Sequence, residues 1–372
     1  MEEVINILHV VGTLNRGGAE TLLLNLYKAT NRSRIHFDFV VHSDFVGEYE
    51  KEFTAMGSQI YRISPFKGTN LFDYCKQWDD FFSRGKKYDI VHGHVRSTSS
   101  IYLLIAKKHG LITIAHSHNV SNGKSISSVI KYFFQLPIRY VADYFFACSI
   151  EAGKWLFGQK ICQGNNFFLL RNGIDVSLFR YSNDVRIQAR IDLNITNNFV
   201  IGHVGRFELQ KNHKFLIDIF YEIYKIKSNA KLLLIGTGPL LPQMQKYVTE
   251  KSLEDSVIFL GSRSDVANLM QAMDVFIFPS LYEGLGIALI EAQSAGLPCI
   301  VTDTLPREVF TTSLITPVSL QSSPSMWARQ ALKKYNSVIR GDMYREICQS
   351  GYNIQETAQW LEDFYIKIGD KK

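Results

Sequence analysis

Cysteine is scarce in this 372-residue chain, and several chemical signatures are missing altogether. The five cysteines, Cys75, Cys148, Cys162, Cys299 and Cys348, are odd in number and form no Cys-x-x-Cys pair. That argues against a disulfide framework and a cysteine-ligated zinc, and fits a reducing compartment. No apolar run is long enough to span a bilayer. The opening Met1-Glu2-Glu3 lacks the basic start of a secretory leader, so the expected location is the cytoplasm. There is no Gly-x-Ser-x-Gly elbow. Asn122-Gly123-Lys124-Ser125 ends like a P-loop, but His118 stands where the first glycine belongs. Charge of either sign is unclustered. The net +6 is concentrated in residues 1–175, where 20 Lys and Arg face 15 Asp and Glu. Such a mild bias favours an anionic partner for the first half, and without a basic cluster interleaved with aromatics a nucleic-acid partner is not expected.

What is present is a globular composition, 46% apolar with no low-complexity tract, at a length that suits two domains. Short apolar runs alternate with helical patterns throughout, the signature of parallel sheets wrapped by helices. Strands are expected at 6–12, 36–43, 59–64, 89–94, 112–117, 144–149 and 167–171. Asn172-Gly173-Ile174-Asp175 reads as a closing turn. A fresh set follows at 199–205, 230–236, 257–261, 274–280, 298–303 and 314–318. The expected division is therefore 1–175 and 176–352, two α/β units with ligands held at the carboxyl edges of their strands.

The most informative stretch is Ser280-Leu-Tyr-Glu283-Gly284-Leu285-Gly286-Ile-Ala-Leu-Ile-Glu291. A buried strand, 274–280, leads through a glycine-rich turn into a helix expected at about 286–295. The free N–H groups and positive dipole end of such a helix suit a diphosphate, and Gly284 and Gly286 let it approach the main chain. Glu283 and Glu291 can accept hydrogen bonds from sugar and ribose hydroxyls.

Glu283 followed after seven residues by Glu291 resembles the signature of the retaining glycosyltransferases of family four, whose fold, GT-B, pairs two Rossmann-like domains. Further matches follow in order along nearly the whole chain. Gly205-Arg206 and then Lys211 resemble the family's basic pair aimed at the donor diphosphate, Arg by a two-pronged contact and Lys as a point charge. Gly236-Thr-Gly238-Pro239 resembles a loop beside the donor. As a dinucleotide fingerprint it fails, since Leu241 stands where the third glycine is required. Gly261 resembles the segment along the nucleoside base. Gly17-Gly18-Ala19-Glu20 resembles the Gly-Gly-x-Glu loop that closes over phosphate or acceptor. His116 aligns with a histidine near the donor sugar, with His118 its competitor. The chain is expected to leave the sheet at about Ser117, setting His116 against the sugar and His118 nearer the acceptor, or in a structural role. In the family the last helix, here about 353–368, crosses back onto the first domain.

The resemblance implies a retaining enzyme that moves a sugar from a nucleoside diphosphate sugar, uridine-linked by preference, to a glycan or lipid-linked acceptor in surface polysaccharide synthesis. It implies front-side substitution, with Glu283 and His116 at the reacting centre. No cofactor is expected beyond the nucleotide sugar as co-substrate. No metal is expected either: Asp-x-Asp is missing, and although His92, His94, His116 and His118 close two strands, no carboxylate or cysteine completes a ligand set. Two rivals stand beside this reading, a nucleotide-sugar 2-epimerase of the same fold and a non-catalytic nucleotide-sugar-binding subunit. The segment 126–146 has two readings as well, core packing or peripheral docking on the inner face of an anionic membrane. The 303–308 segment resembles capsular and exopolysaccharide transferases and lacks a glycine-rich stretch many relatives have.

Overall fold

The computed structural model describes residues 4–84, 87–118 and 135–369. The chain splits into two compact units, Met1–Gly173 with Asn353–Lys372, and Ile174–Tyr352. Each is built on one all-parallel sheet.

The first sheet has seven strands: β1 (Ile5–Val11), β2 (Ile35–Val41), β3 (Ile60–Arg62), β4 (Ile90–Gly93), β5 (Ile112–Ser117), β6 (Tyr144–Ala147) and β7 (Phe167–Leu169), in spatial order β3-β2-β1-β4-β5-β6-β7. Runs such as Ile-Asn-Ile-Leu-His-Val-Val are buried on both faces, as a parallel sheet covered by helices requires. The helix Ile354–Gly369 returns to this unit. Its Ile354, Leu361, Phe364, Tyr365 and Ile368 join the core containing Ile7, Phe37 and Phe39, and Glu362 binds Arg34 at 2.9 Å.

The second sheet has six strands: β8 (Phe199–Val204), β9 (Ala230–Ile235), β10 (Val257–Gly261), β11 (Val275–Phe278), β12 (Cys299–Thr302) and β13 (Ile315–Val318), in order β10-β9-β8-β11-β12-β13. Its foundation is Asp274, at the entry to β11. This buried carboxylate accepts Val200 N–H at 2.7 Å and hydrogen bonds from Arg186 and Arg190. The amino ends of β8 and β11 are thus tied together, which fixes where their carboxyl ends emerge. Both sheets reverse strand order once, at β1/β4 and at β8/β11, and α/β folds hold ligands at such switch points.

The 126–146 segment is described only from residue 135. There, Ile138, Val141 and Phe145 are buried in the first unit's core, and Arg139 Nε donates to Leu156 O. Residues 126–134 lie outside the described part. No described helix is long and apolar enough to cross a membrane.

Candidate active site

In the second unit the loops leaving β8 and β11 are adjacent and stitched together. After β8 the chain passes Arg206 into a short 3-10 turn, Leu209–Lys211. Asn212 then takes the left-handed conformation (φ 56°, ψ 44°), which Asn tolerates, and its side chain donates to Pro279 O at 3.2 Å. Gln210 reaches the same loop. Its carbonyl accepts Leu281 N–H at 2.8 Å, and its Nε2 donates to Tyr282 O (2.8 Å) and Glu283 Oε2 (3.1 Å). Lys211 Nζ donates to Glu283 Oε1 at 2.6 Å and stands 4.9 Å from the Phe278 ring centroid. The Lys211 and Glu283 side chains are only 18% and 6% exposed. Both oxygens of Glu283 are therefore held, each with a lone pair left for a further donor.

Arg206 does not join this pair. It is exposed, and its Nη2 lies 2.6 Å from Glu208 Oε1. Beyond Glu283, Gly284 and Leu285 are buried. Gly286 (φ 84°, ψ 58°) precedes the helix Ile287–Ser294, which no side chain caps. Its first N–H groups lack intrahelical partners, a place for an anion. Glu291 lies on the second turn of this helix, half-buried, with no hydrogen-bond donor to its carboxylate among the described residues. Burial pushes its carboxyl up to about 7.

Gly236 and Gly238 have a structural task. Both adopt positive φ, 140° and 153°, and a Cβ on Gly238 would sit 2.7 Å from the nitrogen and oxygen of Phe207. They let the β9 loop lie directly on the β8 loop, sealed by Phe207 N–H to Thr237 O (2.8 Å) and Leu240 N–H to Phe207 O (3.0 Å). Gly261 O accepts Gly236 N–H at 2.8 Å, carrying the same support to β10.

Sequence reasoning overlooked several neighbours. His203, within β8, donates its Nδ1–H to Ile277 O (2.9 Å). His213 stacks on Phe207 with centroids 4.0 Å apart, and burial beside the Lys211 charge lowers it to about 4. Ser280 Oγ, both His213 nitrogens and His203 Nε2 are buried with no partner among the described residues. A histidine inside the apolar run Phe-Val-Ile-Gly-His-Val was the available signal.

In the first unit Gly17 precedes the helix Gly18–Ala29 without a side-chain cap, its carbonyl accepting Thr21 N–H at 2.8 Å. The histidines gather on one face. His9 of β1, His92 of β4, His116 of β5 and, just past the strand ends, His94 and His118 form a contiguous stack. His9 Nδ1 lies 3.0 Å from His94 Nε2, and His94 Nδ1 lies 2.7 Å from His118 Nε2. His92 Nδ1 meets Tyr365 Oη at 2.6 Å. β5 ends at Ser117 as expected, but the expected separation of the two histidines needs correction, because Ser117 still pairs with Ala147 inside the sheet and its Oγ donates to Ala152 O at 2.8 Å. Alternation then returns His118 to the face of His116, ring centroids 4.0 Å apart. Neither ring nitrogen of the buried His116 has a partner among the described residues. Desolvation lowers all five imidazoles, His9 and His118 to about 3.

The two units match two family models, described as Glycosyltransferase Family 4 over residues 16–178 and Glycosyl transferases group 1 over residues 185–313. The chain is 31% identical over 372 residues to the putative glycosyltransferase EpsF of Bacillus subtilis, covering 96% of each chain. It is 26% identical over 301 residues to an Escherichia coli UDP-Gal:alpha-D-GlcNAc-diphosphoundecaprenol alpha-1,3-galactosyltransferase, covering 76% of each. The solved structure of Anabaena HepE in complex with UDP superposes with a TM-score of 0.71 at 19% identity, over 99% of this chain and 98% of that one. Two doubly wound parallel sheets, motif loops at the second sheet's switch point and full-length likeness to EpsF establish that the chain belongs to the GT-B glycosyltransferases of the family 4 and group 1 type.

Proposed function

We propose that the protein is a retaining transferase that moves a sugar from a uridine diphosphate sugar to a glycan or lipid-linked glycan acceptor in surface polysaccharide or glycolipid synthesis. The observation that carries this reading is Glu283, held on both oxygens by Lys211 and Gln210 beside the uncapped start of the helix Ile287–Ser294. The relatives support the class of substrate: one is named for a UDP-galactose donor and a lipid-diphosphate acceptor, and a structural neighbour was solved with UDP.

In this mechanism the diphosphate lies against the N–H groups of the first helical turn, with Lys211 and Arg206 neutralising charge that grows as it leaves. Arg206 exchanges its exposed partner Glu208 for phosphate, a swap that costs little because surface ion pairs are weak. Glu291 accepts the ribose hydroxyls. A carboxylate that already accepts a charge-assisted hydrogen bond on one oxygen and an amide N–H on the other is a poor nucleophile, so Glu283 orients sugar hydroxyls and does not form a covalent intermediate. Substitution then occurs on one face, the leaving phosphate taking the acceptor proton. Cationic and dipolar groups do the work a divalent ion does elsewhere, so donor turnover needs no added metal.

The test is sugar transfer from a panel of nucleoside diphosphate sugars to a lipid-diphosphate glycan, with and without EDTA. The expected outcome is transfer from a uridine donor, retained configuration and undiminished rate under chelation. Arg206→Ala should lose about 1.5 to 3 kcal/mol of uridine diphosphate binding, the worth of a charge-assisted contact. A rate abolished by EDTA and restored by manganese or magnesium would overturn metal independence, and release of an epimerised sugar nucleotide without acceptor would overturn the transferase reading.

A further inference from the structure

The histidine stack of the first unit exceeds what the transferase mechanism uses. One ring nitrogen from each of His94, His116 and His118 lies within 4.8 Å of the other two. His118 Nδ1 and both nitrogens of His116 are buried without a partner among the described residues, a costly condition for imidazole unless something else binds there. No carboxylate belongs to the set.

We propose that His94, His116 and His118 form a site for one zinc-class divalent cation. Three imidazoles without oxygen ligands select zinc, cobalt, nickel or copper over magnesium and calcium. At zinc–nitrogen distances of about 2.0–2.1 Å, tetrahedral ligation needs nitrogens about 3.4 Å apart. His94 Nδ1 and His118 Nε2, now 2.7 Å apart as hydrogen-bonded neighbours, need move apart by less than 1 Å, roughly a slight ring rotation for each. His94 is already oriented for this: its other nitrogen, Nε2, lies 3.0 Å from His9 Nδ1, the outer-shell contact that fixes a ligating imidazole. Burial keeps the rings neutral, the form that binds metal. His94 and His118 are partly exposed, which gives an ion a way in and leaves the fourth position for water. The opposing charge is Arg96, stacked on Trp155 at 4.8 Å and near enough to His118 to disfavour its protonation.

The experiment uses tag-free full-length protein stripped with EDTA and titrated with Co2+, read by the visible bands of a four-coordinate nitrogen site and by metal content after dialysis, with Zn2+ as competitor. One Co2+ per chain, displaced by Zn2+, is expected. His118→Asn, at the partly exposed strand end where folding is least at risk, and His94→Gln should each abolish the bands. His9→Leu should weaken binding about 10- to 100-fold through the outer-shell contact, and Arg96→Gln should tighten it. Uridine diphosphate binding by the same samples reports on the second unit, so failure of the metal site is distinguishable from failure of the donor site. Absence of the bands and of retained metal in wild type, or bands that persist in both His118→Asn and His94→Gln, would overturn the proposal.

Discussion

Lys211 and Glu283, 72 residues apart in the chain, are joined by a 2.6 Å ion pair that is almost wholly buried. The basic residue proposed to meet phosphate and the acidic residue proposed to meet sugar are therefore one coupled unit, and altering either changes the other's charge environment. Gln210 and Asn212, on the same turn, make the loops after β8 and β11 move together.

Removing one partner strands a buried charge. Lys211→Ala should destabilise the second unit by about 3–5 kcal/mol, whereas Lys211→Met with Glu283→Gln together should recover most of it. Urea unfolding of the single and double variants measures the coupling, and strict additivity would contradict it. Glu283→Gln alone should lower transfer by about a hundredfold or more without weakening uridine diphosphate, since it frees the Lys211 ammonium.

If Glu291 meets the ribose as proposed, uridine diphosphate binding should depend on pH. With its carboxyl raised to about 7, the acid is mostly protonated at pH 6 and ionised at pH 8, and a ribose hydroxyl donates more strongly to the carboxylate. Uridine diphosphate affinity should rise by about tenfold across that interval. Glu291→Gln should remove this component, leaving the titration of the phosphate itself. For stability the sign is opposite. A raised carboxyl favours the fold below its ordinary value near 4.5 and loses that contribution as pH climbs through about 7, so Glu291→Gln should stabilise the ligand-free protein at pH 8. Calorimetry at both pH values checks the first claim and thermal melting the second.

The histidine stack predicts acid sensitivity in the first unit. Its imidazoles titrate near 6.5 when unfolded and far lower when folded, His9 and His118 at about 3. Stability is thus complete above about pH 6.5 and is lost progressively as pH falls toward 3, by about 1.4 kcal/mol per pH unit for each histidine kept neutral. Denaturant unfolding in EDTA between pH 7.5 and 5 should show this slope, shallower in His9→Gln. A flat profile would mean that the rings are not neutral by burial.

Two glycine pairs separate fold from function. Gly238→Ala forces a Cβ to 2.7 Å from the Phe207 backbone at φ 153° and should cost about 1–3 kcal/mol. Gly18→Ala meets nothing within 4 Å and should leave stability within about 0.5 kcal/mol. A fall in turnover for Gly18→Ala at unchanged melting temperature is expected if phosphate or acceptor approaches this loop, and normal turnover would remove it from the site.

The thirteen strands were legible because a parallel sheet writes itself as short apolar runs, Val275–Phe278 being a clear case. The place of the loops was legible too, down to the glycine that precedes the helix Ile287–Ser294. Side-chain pairing was not. Nothing local says that Lys211 grips Glu283 and that Arg206 pairs instead with Glu208, because those choices depend on how two loops from neighbouring strands interlock. Four members of the histidine set, His92, His94, His116 and His118, were visible at two strand ends, but His9 was hidden for a related reason. The members of the set come from three strands, and parallel register, invisible in a single sequence, brings His9 alongside His92.

The return of the helix Ile354–Gly369 to the first unit sets an order of assembly during synthesis. Ribosomes add roughly 5–20 residues per second. The first 173 residues therefore wait roughly 10–35 s, while the intervening 179 emerge, before the helix that covers Ile7, Phe37 and Phe39 arrives. Throughout that interval the nascent first unit has its sheet but an unclosed apolar face, whereas the second unit, contiguous in the chain, can complete itself as soon as it leaves the tunnel. The unit that folds last is the one that is made first.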